Sequence, residues 1–211
     1  MIKSKERKAD FGEVFTSERE VKAMLDLVEG ETCRIESRFL EPACGDGNFL
    51  IEVLRRKLEV VKKRYCDSNL EFQVASFQVI ASLYGVDILL DNVETCRERL
   101  LNFYENFYES TLKQPICEKL KISLAYVLGK NIIQGDAISL RTSDGTQPIV
   151  FCEWSFVSGT KVKRVDYTFE NLIAYQPFDE QSLFSDLGTE AFLPPPIKTF
   201  GLVNFLKVSD E

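Results

Sequence analysis

Apolar residues recur at helical spacing in several stretches of the chain. Between Ser17 and Gly30 they share one side of a helix, with Ser17 as the predicted N-cap and Gly30 as the predicted stop. Glu20 stands three residues after Ser17, which is the spacing of a capping box. The same three- and four-residue periodicity predicts further helices over residues 48–58, 70–82, 91–107 and 116–128.

Short apolar runs lie between these helices and predict strands. They cover residues 38–40, 83–88 and 131–134. Strands that alternate with helices along a chain are typical of a parallel sheet with helices packed on it. The pattern therefore predicts an α/β fold.

The pattern changes after Arg141. Two runs rich in β-branched and aromatic residues, 149–156 and 161–167, flank a glycine-containing turn and predict a β-hairpin. The residues that follow, including Pro194–Pro196, predict irregular loops. We therefore divide the chain into a domain over residues 1–140 and a hairpin with an irregular extension, 141–211, that packs on it.

Composition and charge exclude several classes of protein. The 211 residues are 45% hydrophobic, carry a net charge of −7 and include no histidine. The six cysteines form no C-x-x-C pair, so we expect reduced thiols rather than a zinc site. The charged N-terminus and the short apolar runs predict neither a signal peptide nor a membrane span, and we expect a cytoplasmic protein. A chain this acidic is a poor DNA binder by itself.

The candidate chemistry lies at turns that follow the predicted strands. Glu41–Asn48 contains Gly45 and Gly47 and leads into a helix, whose N-terminal N–H groups can face a ligand. Asp87 ends the second strand, and Gly135–Ala137 follow the third. Because parallel strands end at one edge of a sheet, these turns predict a single ligand crevice. Alternatively, each aspartate only caps the helix that follows it.

Four segments together resemble the S-adenosyl-L-methionine (SAM) dependent DNA adenine-N6 methyltransferases of restriction-modification systems. They are Val14–Ser17, Phe39–Ile51, Tyr84–Ile88 and Ile133–Ala137, and the match spans about residues 14–140. The family usually has proline at the position of Ser17 and aspartate at the position of Glu41. The resemblance implies a Rossmann-like methyltransferase fold with SAM as the cofactor.

The resemblance also implies a SAM site, with a role for its individual residues. The predicted site consists of Phe15, Thr16, Glu41, Pro42, Ala43, Cys44, Gly45, Gly47, Asn48, Phe49, Asp87, Ile88, Asp136 and Ala137. The first two would pack around the methionine end of SAM, and the loop would cradle its amino-acid part, chiefly through Glu41, Cys44, Gly45 and Gly47.

The nucleoside half of SAM would be held by the second and third turns. By the same resemblance, Asp87 would hold the ribose and Ile88 would lie against the adenine. Asp136 would accept a hydrogen bond from the adenine amino group, and the N–H of Ala137 would face a ring nitrogen.

The catalytic motif of the family is missing from the sequence. Those enzymes grip the flipped base with an Asn/Asp-Pro-Pro-Tyr/Phe tetrapeptide, which this chain does not contain. Tyr175–Phe178 is the nearest string and makes Gln176, Pro177 and Phe178 weak catalytic candidates. Leu193–Pro196 has paired prolines without the flanking polar and aromatic residues.

Several hypotheses for the function remain open. The first is a SAM-binding component of a DNA adenine-N6 methyltransferase that reaches DNA only through a partner, in a homo- or hetero-oligomer without membrane contact. The second is a catalytically degenerate scaffold or regulatory protein, and a weaker third is a methyltransferase that acts on small molecules or proteins.

The pattern also supplies fewer strands than the family sheet has. An incomplete sheet would leave the strand near Phe39 and Leu40 without a neighbour on its far side. We therefore expect either the hairpin or a second chain to cover that edge. We also expect Trp154, Tyr104, Phe107 and Tyr108 to be packing residues.

Overall fold

The five helices that the apolar spacing predicts are all present in a computed structural model that describes residues 16–174 and 195–210, and three short helices add to them. They are α1 Glu18–Asp26, α2 Glu29–Thr32, α3 Asn48–Tyr65, α4 Asn69–Ala81, α5 Leu90–Leu112, α6 Glu118–Asn131, α7 Phe169–Ala174 and a 3-10 helix over Phe205–Asp210. Ser17 and Glu20 form the predicted capping box. The prediction of Gly30 as the helix stop is wrong, because α1 ends at Asp26 and Gly30 lies inside α2. Among all the helices of the described residues, none is long and apolar enough to cross a membrane.

The predicted strands form the parallel part of a mixed sheet. The strands are β1 Phe39–Glu41, β2 Leu83–Asp87, β3 Ile132–Asp136 and β4 Arg141–Thr142, and they lie in that order. β1 pairs with β2 in parallel, β2 pairs with β3 in parallel, and the short β4 runs antiparallel to β3. The fold is therefore mixed α/β, as the alternation of elements predicts.

The predicted hairpin belongs to a second, antiparallel sheet. Its strands are β5 Val150–Ser158, β6 Lys161–Thr168 and β7 Lys198–Asn204. The hairpin of β5 and β6 confirms the prediction, whereas the prediction of an irregular extension is wrong over α7, β7 and the 3-10 helix. Exposed and half-buried residues do not alternate regularly along β7, so this segment lacks the two-residue periodicity that predicts a strand. Pairing with β6 makes this segment a strand.

The hairpin packs on a face of the parallel sheet rather than on its edge. The rings of Tyr84 in β2 and Phe151 in β5 meet edge to face at 5.3 Å, and the Tyr84 hydroxyl donates to the Cys152 carbonyl at 3.2 Å. Arg38, just before β1, forms an ion pair with Glu153. Within the described residues β1 pairs only with β2, so the expectation that the hairpin covers its far edge is wrong. Coverage by a second chain stays a prediction.

The aromatic residues expected to pack do so. Tyr104 and Tyr108 of α5 are buried, and Phe107 packs against the same core from a half-buried position. Trp154 lies edge-on to Phe77 at 6.3 Å and to Tyr126 at 6.2 Å, and only 7% of it is exposed. These rings join the helices to the second sheet.

A buried lysine fastens the segment that leads into β1. The Lys57 Nζ of α3 donates to the carbonyls of Ile35 and Ser37 and, at 2.8 Å, to the Ser82 hydroxyl. It also lies 5.0 Å from the centre of the Phe39 ring. Burial lowers the pKa of Lys57 to about 7. The start of the short strand β1 is thus held by side-chain contacts as well as by its ladder with β2.

Candidate functional site

The loop between β1 and α3 has a backbone that only glycine adopts without strain at two positions. Gly45 has φ of 52° and Gly47 has φ of 92°, both in the left-handed region. The N–H of Cys44 donates to the Val86 carbonyl at 2.9 Å, which fastens the loop to β2. Gly47 is the N-cap of α3 and carries no side chain to cap the helix, so the first turn can offer N–H groups to an external acceptor.

Asp87 joins the first two turns. The N–H of Gly45 donates to Asp87 Oδ2 at 2.9 Å, across 42 positions of sequence. Asp87 Oδ1 accepts from the N–H of Leu89 at 2.9 Å and from the Asn92 side chain at 3.2 Å. A carboxylate has about four lone-pair positions, so three bonds leave room for a further donor. The bond to Leu89 is local but does not cap the first turn of α5, whose N-cap is Leu89 with no side-chain hydrogen bond. The bond to Gly45 joins two distant parts of the chain.

The third turn lies beside the second at the same edge of the sheet. Asp87 is paired in register with Gln134, and the Gln134 side chain donates to the Ile88 carbonyl at 3.1 Å. Asp136 accepts from the N–H groups of Ile138 at 2.9 Å and Ser139 at 3.3 Å, and these bonds lower its pKa. These bonds are local, but the capping alternative is wrong for Asp136, because a turn and then β4 follow it and no helix does. The Ile88 side chain remains half exposed.

A small cleft of about 110 Å³ brings most of the predicted loop residues together. It is lined by Thr16, Met24, Glu41, Ala43, Cys44, Gly45, Asp46, Asn48 and Phe49. Burial raises the pKa of Glu41 above its ordinary value, although a backbone hydrogen bond from Ala43 opposes the shift. Asp87, Ile88, Asp136 and Ala137 do not line this cleft, but they lie along the same sheet edge.

The cleft has the chemistry that the amino-acid end of SAM requires. Glu41 supplies a half-buried carboxylate that can accept from an ammonium group, and the uncapped end of α3 can donate to a carboxylate. The cleft is smaller than the whole cofactor, so the nucleoside would extend along the edge toward Ile88 and Asp136. The residues present therefore fit the group that the resemblance implies.

Four residues near the loop escape the sequence-based prediction. Met24 and Asp46 line the cleft, Asn92 holds Asp87, and Arg99 of α5 contacts the loop residues on both sides of Gly47. Met24 belongs to the apolar pattern between Ser17 and Gly30, which predicts a core residue, and its exposure became visible only in the fold. Asn92 and Arg99 carry no comparable signal, since polar residues on a helix are ordinarily solvated.

Two groups of predicted site residues fall elsewhere in the chain. Phe15, and the candidates Gln176, Pro177 and Phe178, lie outside residues 16–174 and 195–210, so their roles stay predictions.

Comparison with known proteins found no match: no family model, no curated protein and no solved structure matches the chain.

Proposed function

We propose that this chain is the SAM-binding component of a DNA adenine-N6 methyltransferase of a restriction-modification system. It has a Rossmann-like fold in this proposal, and a partner chain supplies catalysis or DNA recognition. The observation that carries the proposal is the hydrogen bond between Gly45 and Asp87, which joins a left-handed glycine loop to the end of the neighbouring parallel strand. Open α/β sheets bind their ligands in the crevice outside the carboxyl ends of their strands.

The chain's own residues would bind and orient the cofactor. When bound, SAM supplies a methyl group on a sulfonium centre for transfer to a nucleophile. Glu41 would accept from the ammonium group, and the N-terminal turn of α3 would donate to the carboxylate. Asp87 would use its remaining lone pairs for the ribose, and Asp136 would accept from the adenine amino group.

The need for a partner follows from what the sequence lacks. It has no Asn/Asp-Pro-Pro-Tyr/Phe string to orient an exocyclic amine, and its net charge of −7 opposes contact with phosphates. Within the described residues, β1 also has no neighbour on the side away from β2. A strand from another chain could complete the sheet there.

For the isolated chain, the missing tetrapeptide favours a second candidate function. A SAM-binding scaffold or regulatory protein would keep the cofactor loop and need no group to grip a base. The two candidates share the cofactor site and differ in whether a complex containing this chain transfers methyl groups.

Calorimetric titration with SAM and with S-adenosylhomocysteine tests the cofactor site. We expect wild-type protein to bind both, and Asp87→Ala to weaken binding about thirtyfold or more, which corresponds to about 2–3 kcal/mol. Asp87→Asn should lose less, because its amide oxygen can still accept from Gly45. Asp67→Ala, an exposed carboxylate beyond α3, is the matched control and should bind as wild type does.

Two outcomes would count against the proposal. Equal affinity of wild type and Asp87→Ala would remove the assigned site, and absence of binding to either ligand by wild type would remove the function. Circular dichroism on each variant separates loss of the ligand from loss of the fold.

A further inference from the structure

Arg99 of α5 holds the second half of the loop between β1 and α3, which we call the cofactor loop. Its Nη1 donates to the Asp46 carbonyl at 2.7 Å and lies 2.6 Å from Asp46 Oδ2. Its Nη2 donates to Asn48 Oδ1 at 2.9 Å. One guanidinium thus contacts the residues on both sides of Gly47, which the fork geometry of arginine allows and a single ammonium would not.

The two halves of the loop are held from different elements. β2 holds the first half, through the bonds from Cys44 to Val86 and from Gly45 to Asp87. The second half contains Asp46 and the left-handed Gly47, and Arg99 ties it to α5 by both backbone and side chain. Within the loop the N–H of Gly47 donates to the Cys44 carbonyl at 2.9 Å, and Arg99 adds the side-chain hydrogen bonds that join this half to another element.

Arg99 also balances a negative charge that is partly removed from water. Asp46 Oδ1 is buried and has no hydrogen-bond partner within the described residues. The ion pair of Arg99 with Oδ2 therefore compensates the negative charge of this carboxylate. Glu41 lines the same cleft, and Asp87 stands next to it. An anion that approaches this loop would meet a strongly negative field if Arg99 were absent.

We infer that Arg99 is a positioning residue that makes this loop accept the carboxylate of an amino-acid moiety. It acts through Asp46 and Asn48, by holding the loop around Gly47 and by cancelling the charge of Asp46. The inference rests on the proposed function, because the carboxylate in question is that of the methionine end of SAM. The affinity for a ligand that lacks this carboxylate should not depend on Arg99.

The experiment compares two ligands on one set of variants. S-adenosylhomocysteine carries the amino-acid carboxylate, and 5′-methylthioadenosine has the same nucleoside without it. Both are titrated by calorimetry into wild type, Arg99→Met, Arg99→Lys and the double variant Arg99→Met/Asp46→Asn. Arg64→Met is the matched control, because Arg64 is exposed and lies far from the loop. It stands sixteen residues after Asn48 in α3, which is about 24 Å along the helix axis.

We expect Arg99→Met to weaken S-adenosylhomocysteine about tenfold or more and to leave 5′-methylthioadenosine within about twofold. Arg99→Lys should fall in between, and the double variant should regain part of the loss because the uncompensated carboxylate is gone. Unchanged affinity of Arg99→Met for S-adenosylhomocysteine would overturn the inference. So would an equal loss for both ligands, which indicates a misfolded loop. If wild type binds neither ligand, the proposed function fails first and the inference with it.

Discussion

Gly47 faces Cys96 so closely that a β-carbon at Gly47 would lie 2.7 Å from the Cys96 Sγ. This contact packs the loop between β1 and α3 directly on α5. Gly47 also has φ of 92°, where a side chain is strained even in open space. Two independent physical reasons therefore require glycine at this position.

We predict that Gly47→Ala lowers the free energy of unfolding by about 1–3 kcal/mol and weakens S-adenosylhomocysteine binding. Thermal unfolding and calorimetry measure the two effects. Gly129→Ala in α6 is the matched control, since nothing lies within 4 Å of its β-carbon position and alanine favours a helix interior. A Gly47→Ala variant as stable as Gly129→Ala would contradict the packing described here.

We predict that the buried Lys57 makes stability rise with pH. Its pKa is about 7 in the folded protein, against an ordinary value of 10.5, so between these values the unfolded chain binds a proton that the folded chain has released. Unfolding then takes up a proton, and the free energy of unfolding should grow by roughly 1–2 kcal/mol between pH 7.5 and 9. Below about pH 7 the lysine is protonated in both states and the slope from this group vanishes.

Urea unfolding at several pH values measures the Lys57 effect. Lys57→Met should remove the rise with pH, whatever it does to stability at one pH. Lys63→Met, an exposed lysine on the same helix, should keep the rise. Parallel pH profiles for wild type and Lys57→Met would show that another group carries the slope.

We predict that the isolated chain shows no appreciable binding to duplex DNA at physiological salt. Affinity for DNA depends mainly on cations that neutralise phosphates, and the net charge of −7 works against it. Gel-shift titration over a range of salt concentrations tests this. Submicromolar binding at physiological salt would contradict the prediction and reveal a basic face.

We predict that the isolated chain binds the cofactor but transfers no methyl group to adenine in DNA with multiple turnover. Methyl transfer to an exocyclic amine needs acceptors that orient its N–H bonds, and the sequence has no Asn or Asp before a Pro-Pro pair and no histidine as a substitute base. Tritiated SAM with mixed-sequence single- and double-stranded DNA measures the transfer. Robust incorporation by wild type would contradict the prediction, and its loss in Gln176→Ala would identify Tyr175–Phe178 as the catalytic loop.

Much of the local structure follows from residue spacing. The capping box at Ser17, the helices from α3 to α6 and the hairpin of β5 and β6 were all predictable, because periodicity and turn residues act within a few positions. The strand β7 was not, because its residues become a strand only by pairing with β6. The residues of the loop Glu41–Phe49 were likewise predictable, since glycines after a strand and before a helix have a backbone reason to be there.

The sequence by itself determined the order of helices and strands, the parallel direction of β1 to β3 and the glycine loop between β1 and α3. Tertiary structure alone decided that Gly45 donates to Asp87 and that Arg99 holds Asp46. It also decided that the hairpin lies on a face of the sheet and that β1 has β2 as its one partner among the described residues. The physical reason is that an apolar period tells which side of an element is buried and not which element covers it. Hydrogen bonds between groups 42 or 53 positions apart form only after that choice is made.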